Sequence, residues 1–214
     1  MESYQREFFE FAIGSGVLKF GQFTLKSGRN SPYFFNAGLF NSGHSLRRLG
    51  SFYAAALMRS GVAFDMLFGP AYKGIPLVAA TAIALAGEHG RDVPFAFDRK
   101  EAKDHGEGGV IVGAPLAGRV VVVDDVISSG LSVQHSAGLI GAAGAELAAV
   151  LVALDRQERG QGERSAVAEV KARHGVPVIA VAGLEQLVHY IETYEKNPGR
   201  AEAIRAYRAQ YGAV

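Results

Sequence analysis

The chain has 214 residues, 49% hydrophobic and 20% charged, with a formal net charge of +1. That length suits one domain with a substantial core, and near-neutrality gives no bulk attraction to nucleic acid or to a membrane surface. The absence of cysteine excludes disulfides, thiol nucleophiles and thiolate metal sites and fits the cytoplasm, and the polar start, without basic and apolar stretches, does not read as a signal peptide.

In chain order, Ser3 can cap a first helix whose apolar side is Phe8, Phe9, Phe11 and Ala12, ended by Gly14 and Gly16. Two short strands at 20–25 and 33–35 flank a turn rich in Ser, Gly, Asn and Pro. A long helix opens at Asn41 or Ser42 and closes at Gly61. From there strands and helices alternate. Strands are expected at 66–68, 95–97, 120–123, 147–154 and 178–181. Helices are expected at 75–89, 132–143, 165–174, 184–195 and 199–211. The alternation predicts a mostly parallel sheet flanked by helices on both faces. No repeat, low-complexity tract or linker divides the chain, so residues 1–214 are expected to form one domain. The first forty residues lie outside the alternation and are expected to form a small hood. The charged stretch from Arg99 to Gly109 has no apolar period and is expected to be a mobile, solvated loop.

The segment from Val120 to Ser132 carries the most chemistry. Its valine run reads as a fully buried strand that stops at two carboxylates, Asp124 and Asp125. A Ser/Gly loop follows and a helix opens at Ser132. Ligands of open α/β sheets bind outside the carboxyl ends of strands, and loop amides at a helix start hold anions. Acids beside a phosphate cradle must face something other than phosphate: sugar hydroxyls or a cation. The pattern therefore points to a phosphorylated sugar held at both ends. A plain buried strand with a capped turn is the alternative, but it leaves two acids with an uncompensated desolvation cost.

Two further stretches favour anions. In Gly69-Pro70-Ala71-Tyr72-Lys73-Gly74, glycines permit close backbone approach and Lys73 offers a point charge. It lacks the Gly-Lys-Ser/Thr ending of a nucleotide P-loop. Arg99, Lys100, Lys103 and His105 give the charged stretch the cations that a lid over a polyphosphate needs, although Glu101, Asp104 and Glu107 interrupt them. The histidines show no zinc-type spacing.

The acidic segment resembles the phosphoribosyl-pyrophosphate motif of the type I phosphoribosyltransferases. Phe20-Gly-Gln-Phe-Thr-Leu-Lys26-Ser-Gly-Arg29 with Ser31-Pro32-Tyr33-Phe34-Phe35 is similar to the N-terminal signature of the orotate phosphoribosyltransferase family. The Tyr72-Lys73 loop, the Arg99–Gly109 stretch and Leu154-Asp-Arg156-Gln-Glu match that family in order. The resemblance implies transfer of a phosphoribosyl group from phosphoribosyl pyrophosphate to orotate in pyrimidine synthesis, with Mg²⁺ held mainly by substrate and no metal ligand from protein side chains. It implies a type I phosphoribosyltransferase fold and a homodimer with shared active sites.

It also implies roles for individual residues. Lys73, Lys100, Lys103, His105 and Asp125 would be catalytic. Asp124 and Asp125 would hold ribose hydroxyls. Val126, Ile127, Ser128, Ser129, Gly130, Leu131 and Ser132 would wrap the 5′-phosphate. Tyr72, Lys73 and Lys100 would bind the pyrophosphate, and Arg99, Lys103 and His105 would reach a neighbouring subunit's site. Lys26, Phe34, Phe35, Ser128 and Arg156 would surround orotate, with Lys26 also near the activated sugar. The family commonly has Thr-Ala-Gly-Thr where this chain has Ser128-Ser129-Gly130-Leu131. Leu131 is therefore expected to contribute its N–H only. Alternatives are a phosphoribosyltransferase for another base and a non-catalytic sensor of phosphoribosyl pyrophosphate.

Overall fold

The computed structural model describes residues 1–25, 27–103, 109–127, 130–159 and 164–213, with the backbone alone at 100, 102 and 103. A six-stranded sheet forms its centre, in the order β5-β4-β3-β6-β7-β8. The strands are β3 (Met66–Gly69), β4 (Phe95–Lys103), β5 (Gly109–Gly113), β6 (Arg119–Val123), β7 (Glu146–Asp155) and β8 (Val178–Gly183). All neighbours pair in parallel except β4 and β5.

Strand side chains alternate between two apolar layers, as the pleat requires. Leu67, Val121, Val123, Leu151 and Ala153 face α1 (Ser3–Gly14), α2 (Gly43–Ser60), α3 (Gly74–His89), α6 (Leu184–Tyr190) and α7 (Pro198–Tyr211). Met66, Phe68, Val120, Val122, Val150 and Val152 face α4 (Leu131–Ala142) and α5 (Ala166–His174). The central strands are thus apolar on both sides, which is why they read as unbroken runs.

Turn chemistry places the helix ends. Ser42 caps α2 by accepting the Ser45 N–H at 3.2 Å, and Gly61 closes that helix in the left-handed region at φ 69°. Ser165 caps α5 in the same way. The first helix differs from expectation: Glu2, not Ser3, occupies the N-cap, its N–H donating to Gln5 Oε1. A second difference is that α6 gives way to a π-helical turn, Ile191–Glu195, instead of running on as one helix.

The largest departure is the charged stretch. It is not a loop throughout: β4 continues through Arg99 to Lys103, and Lys103 pairs with Gly109 of an antiparallel β5 that the pattern did not show. Backbone pairing asks nothing of side-chain polarity, so the charges of residues 99–103 concealed the extension of β4, while β5 shows only the short run Val110-Ile111-Val112 between two glycines.

The N-terminal β1 (Leu18–Thr24) and β2 (Asn30–Phe35) form a separate antiparallel pair. Tyr33 Oη donates to Glu158 at 3.0 Å and Arg29 Nη1 donates to the Arg159 carbonyl, so this hairpin is tied to the segment after β7. Phe8 of α1 packs edge-on against Phe52 of α2, fixing the N-terminal segment to the helical layer. No described helix is long and apolar enough to cross a membrane.

Candidate active site

The chain leaves β3 toward β4 on one side and returns to β6 on the other. The carboxyl ends of β3 and β6 therefore lie side by side where the strand order reverses, and a crevice opens there in folds of this type. Two segments meet at it, residues 70–73 after β3 and, after β6, residues 124–127 with residue 130.

Close backbone packing sets their spacing. A Cβ on Gly69 would stand 2.3 Å from the Gly74 carbonyl oxygen. One on Gly74 would stand 2.9 Å from the Val123 carbonyl oxygen. Only glycine lets the turn into α3 lie against the end of β6. Gly130, at φ 72°, turns the second loop into α4 through a conformation that side chains disfavour.

A cavity of about 280 Å³ results. Tyr72, Lys73, Asp124, Asp125, Val126, Ile127, Gly130 and Ser132 all line it, so the structure brings together most of the described residues assigned to the activated sugar. Lys73 Nζ donates to Asp125 Oδ2 at 2.5 Å. Asp124 commits both oxygens to protein donors, the Asp125 N–H at 2.8 Å and the Ser132 hydroxyl at 3.0 Å. Burial, opposed by the Asp125 N–H bond and reinforced by the neighbouring Asp125 charge, pushes the Asp124 carboxyl up to about 6. From α2, the fully buried Tyr53 hydroxyl donates to the Asp124 carbonyl at 2.9 Å and fixes the acidic turn from below.

Tyr72 is 65% exposed, and the Ala71–Tyr72 peptide bond is cis. The Leu131 side chain is exposed. Arg99 Nε is buried with no hydrogen-bond partner among the described residues. Lys26, His105, Ser128 and Ser129 lie outside the described residues, as do the side chains of Lys100 and Lys103.

The remaining predicted residues sit apart from this cavity. Phe34 is exposed, stacked on Phe23 with ring centres 5.6 Å apart. Phe35, its strand neighbour, turns to the opposite face and packs toward Phe8 at 6.3 Å. Arg156 follows β7, the strand that pairs with β6. Its Nε and Nη2 both donate to Glu158 Oε1, at 2.9 and 2.7 Å, and its guanidinium lies over the Tyr33 ring. A larger cleft of about 810 Å³ runs between β1, β2 and α7, lined by Phe20, Thr24, Asn30, Arg200 and Tyr207 and remote from the acids.

Asp98, His135, Tyr53 and Glu158 were not singled out in the sequence. Each acts across a large sequence separation or within a mixed-charge run, where local spacing carries no signal. Only Asp98 left a trace, as an acid directly at the end of an apolar strand.

Residues 41–181 match the phosphoribosyl transferase domain family. Over 212 residues the chain is 61% identical to the orotate phosphoribosyltransferase of Thioalkalivibrio sulfidiphilus, covering 99% of this chain and 100% of that protein. It is 59% identical to that of Pseudomonas aeruginosa over the same shares. The chain belongs to the orotate phosphoribosyltransferase family. A crystal structure of the Francisella tularensis orotate phosphoribosyltransferase superimposes with a TM-score of 0.88 at 43% identity, covering 97% of this chain and 100% of that one. The α/β architecture with a mainly parallel sheet is the type I phosphoribosyltransferase fold, as expected.

Proposed function

We propose that this member of the orotate phosphoribosyltransferase family transfers the phosphoribosyl group of phosphoribosyl pyrophosphate to orotate. The products are pyrophosphate and orotidine 5′-monophosphate, a step of pyrimidine synthesis. The observation that carries the proposal is the cavity at the strand-order reversal, where a buried acid pair, a loop lysine and the start of α4 converge.

The acids accept from the ribose hydroxyls. The backbone N–H groups of residues 126–132 receive the 5′-phosphate at the positive end of α4. Lys73 pairs with Asp125 in the absence of substrate and moves to the pyrophosphate when it arrives, which releases Asp125 to the sugar. Tyr72 and Lys100 complete the pyrophosphate subsite, while Arg99, whose Nε has no hydrogen-bond partner among the described residues, serves the neighbouring subunit's site.

Lys26, Phe34, Ser128 and Arg156 surround orotate, the guanidinium being suited to its carboxylate. Phe35, turned toward Phe8, supports the hairpin and leaves stacking to Phe34. Among the described residues no three His, Asp or Glu side chains form a metal cage, and Asp124 has both oxygens committed to protein donors. The donor set thus fits a Mg²⁺ ion held mainly by substrate, with Asp125 as the nearest carboxylate. Mg²⁺ so bound would withdraw charge from the leaving pyrophosphate.

The chemistry is substitution at the anomeric carbon. A ring nitrogen of orotate forms the new bond as the bond to pyrophosphate breaks, through a transition state of oxocarbenium character. The lysines supply electrostatic stabilisation as negative charge builds on the leaving group. His105 would donate a proton to it. Lys103 and His105 act in a neighbouring subunit's site, so a homodimer in the cytoplasm is the active form.

Orotate consumption followed by absorbance, with phosphoribosyl pyrophosphate and Mg²⁺, tests the assignment beside uracil, adenine and hypoxanthine. Turnover of orotate alone is expected. Preference for another base would overturn the specificity, and uptake of the sugar without turnover of any base would favour a sensor.

A further inference from the structure

We propose that Asp98 is a positioning residue that fixes the pyrophosphate loop, with His135 as its outer support. Asp98 lies just beyond the pairing of Gly69 with Phe97, at the end of the straight part of β4. It is 4% exposed. A carboxylate at that depth is costly unless it is paired or hydrogen-bonded. Among the described residues no lysine or arginine reaches it. Its compensation comes from two donors. Oδ1 accepts the Ala71 N–H at 2.6 Å, and Oδ2 lies 3.1 Å from His135 Nε2.

Those partners belong to different parts of the site. Ala71 stands two residues before Lys73. His135 stands on α4, one turn after Ser132. Asp98 itself directly precedes Arg99 and Lys100. One buried carboxylate therefore joins the loop after β3, the strand that carries further cations, and the helix that follows the phosphate loop.

The join matters because Lys73 has two partners to serve. Its ammonium rests on Asp125 and must exchange to the incoming pyrophosphate. A side chain can make that exchange accurately only if its backbone stays in place, and the charged bond from Asp98 to the Ala71 amide holds it. Asp98 is not among the residues that line the cavity, whereas Ala71 is. It acts through Ala71 on Lys73.

The inference rests on the proposed role of this loop in binding phosphoribosyl pyrophosphate. Its test uses the full-length protein with D98A, D98N and H135A, measuring kcat and the KM of each substrate, with calorimetric titration of inorganic pyrophosphate. D98A is expected to raise the KM for phosphoribosyl pyrophosphate roughly tenfold to a hundredfold, the factor for losing one hydrogen bond to a charged group, with the KM for orotate unchanged. D98N keeps an oxygen for the Ala71 N–H and should recover most of the loss. H135A should weaken pyrophosphate binding in the same direction by a smaller factor.

An unchanged KM for the sugar in D98A, an equal rise for both substrates, or D98N no better than D98A would overturn the proposal. If D98A does not fold, H135A decides, because His135 is largely exposed and tolerates truncation. Wild-type pyrophosphate affinity in H135A then overturns it. Wild-type protein that takes up no phosphoribosyl pyrophosphate would instead refute the proposed function, a separate result.

Discussion

Asp124 shows how a single buried acid sets both a stability term and a working range. Burial is the main cause of its raised carboxyl pKa, about 6 in the folded chain against roughly 3.9 for a free aspartate. The folded state therefore holds this proton more tightly than the unfolded chain. The resulting stability is fully present below about pH 4 and is lost as the pH rises through about 6. At pH 8 the ionised group opposes folding. Asp124→Asn removes that opposition and keeps an oxygen for the Asp125 N–H, while the Ser132 hydroxyl can turn to accept. Its thermal midpoint at pH 8 is expected to equal or exceed that of the unmutated protein, with the gap narrowing toward pH 4. Activity should fall steeply, because an amide accepts poorly from two ribose hydroxyls. Wild-type activity should itself decline as the pH drops through 6. A variant that melts earlier at pH 8 would show that hydrogen bonds to the ionised form, not burial, govern Asp124.

The turn from β3 into α3 makes the corresponding point for an element. Its geometry depends on backbone lying on backbone: a Cβ at Gly74 would meet Pro70 Cδ at 2.5 Å and the Val123 carbonyl oxygen at 2.9 Å. Gly74→Ala must push the turn off the end of β6. We expect a loss of about 1–3 kcal/mol in denaturant unfolding, the usual cost of forcing extra atoms into a packed site, together with a weaker hold on pyrophosphate. Gly138, in α4, has open space around its missing Cβ. Gly138→Ala is expected to be neutral or to stabilise by up to about 1 kcal/mol through helix propensity. Equal effects of the two substitutions would sink the packing argument. Elements bounded by such turn chemistry were legible in the sequence. Ser42 and Gly61 delimit α2, and Ser165 caps α5, because caps and closing glycines are local signals. The extension of β4 was not, because edge pairing is satisfied by backbone groups while the charged side chains of residues 99–103 break every apolar period; β5 offers only Val110-Ile111-Val112 between two glycines, too short a run to mark a strand by itself.

At the scale of the molecule, the site is a consequence of strand order. Only with β3 beside β6 do Lys73 and Asp125, fifty-two positions apart in sequence, come within hydrogen-bonding distance. The sequence marked both residues by their places after buried strands, and alternation implied the sheet. What it could not mark were supports defined by contact across the fold: the Tyr53 hydroxyl under Asp124 and Glu158 joining Tyr33 to Arg156. The cavity formed by the described residues carries one lysine beside two acids. That is too little positive charge for a leaving pyrophosphate, so further cations must come from elsewhere. If Lys103 is supplied by a neighbouring subunit, two defects on different chains can be separated. Lys103→Ala protein lacks the donated lysine, and Asp125→Asn protein lacks the receiving acid. A mixed dimer assembles one site with both defects and one with neither. Equal mixing, with subunit exchange verified by tagged copies, places half of the chains in mixed dimers. Each mixed dimer holds one intact site of two, so activity should recover to about a quarter of the wild-type value, if subunits associate at random. Exchange without recovery would mean that each chain closes its own site.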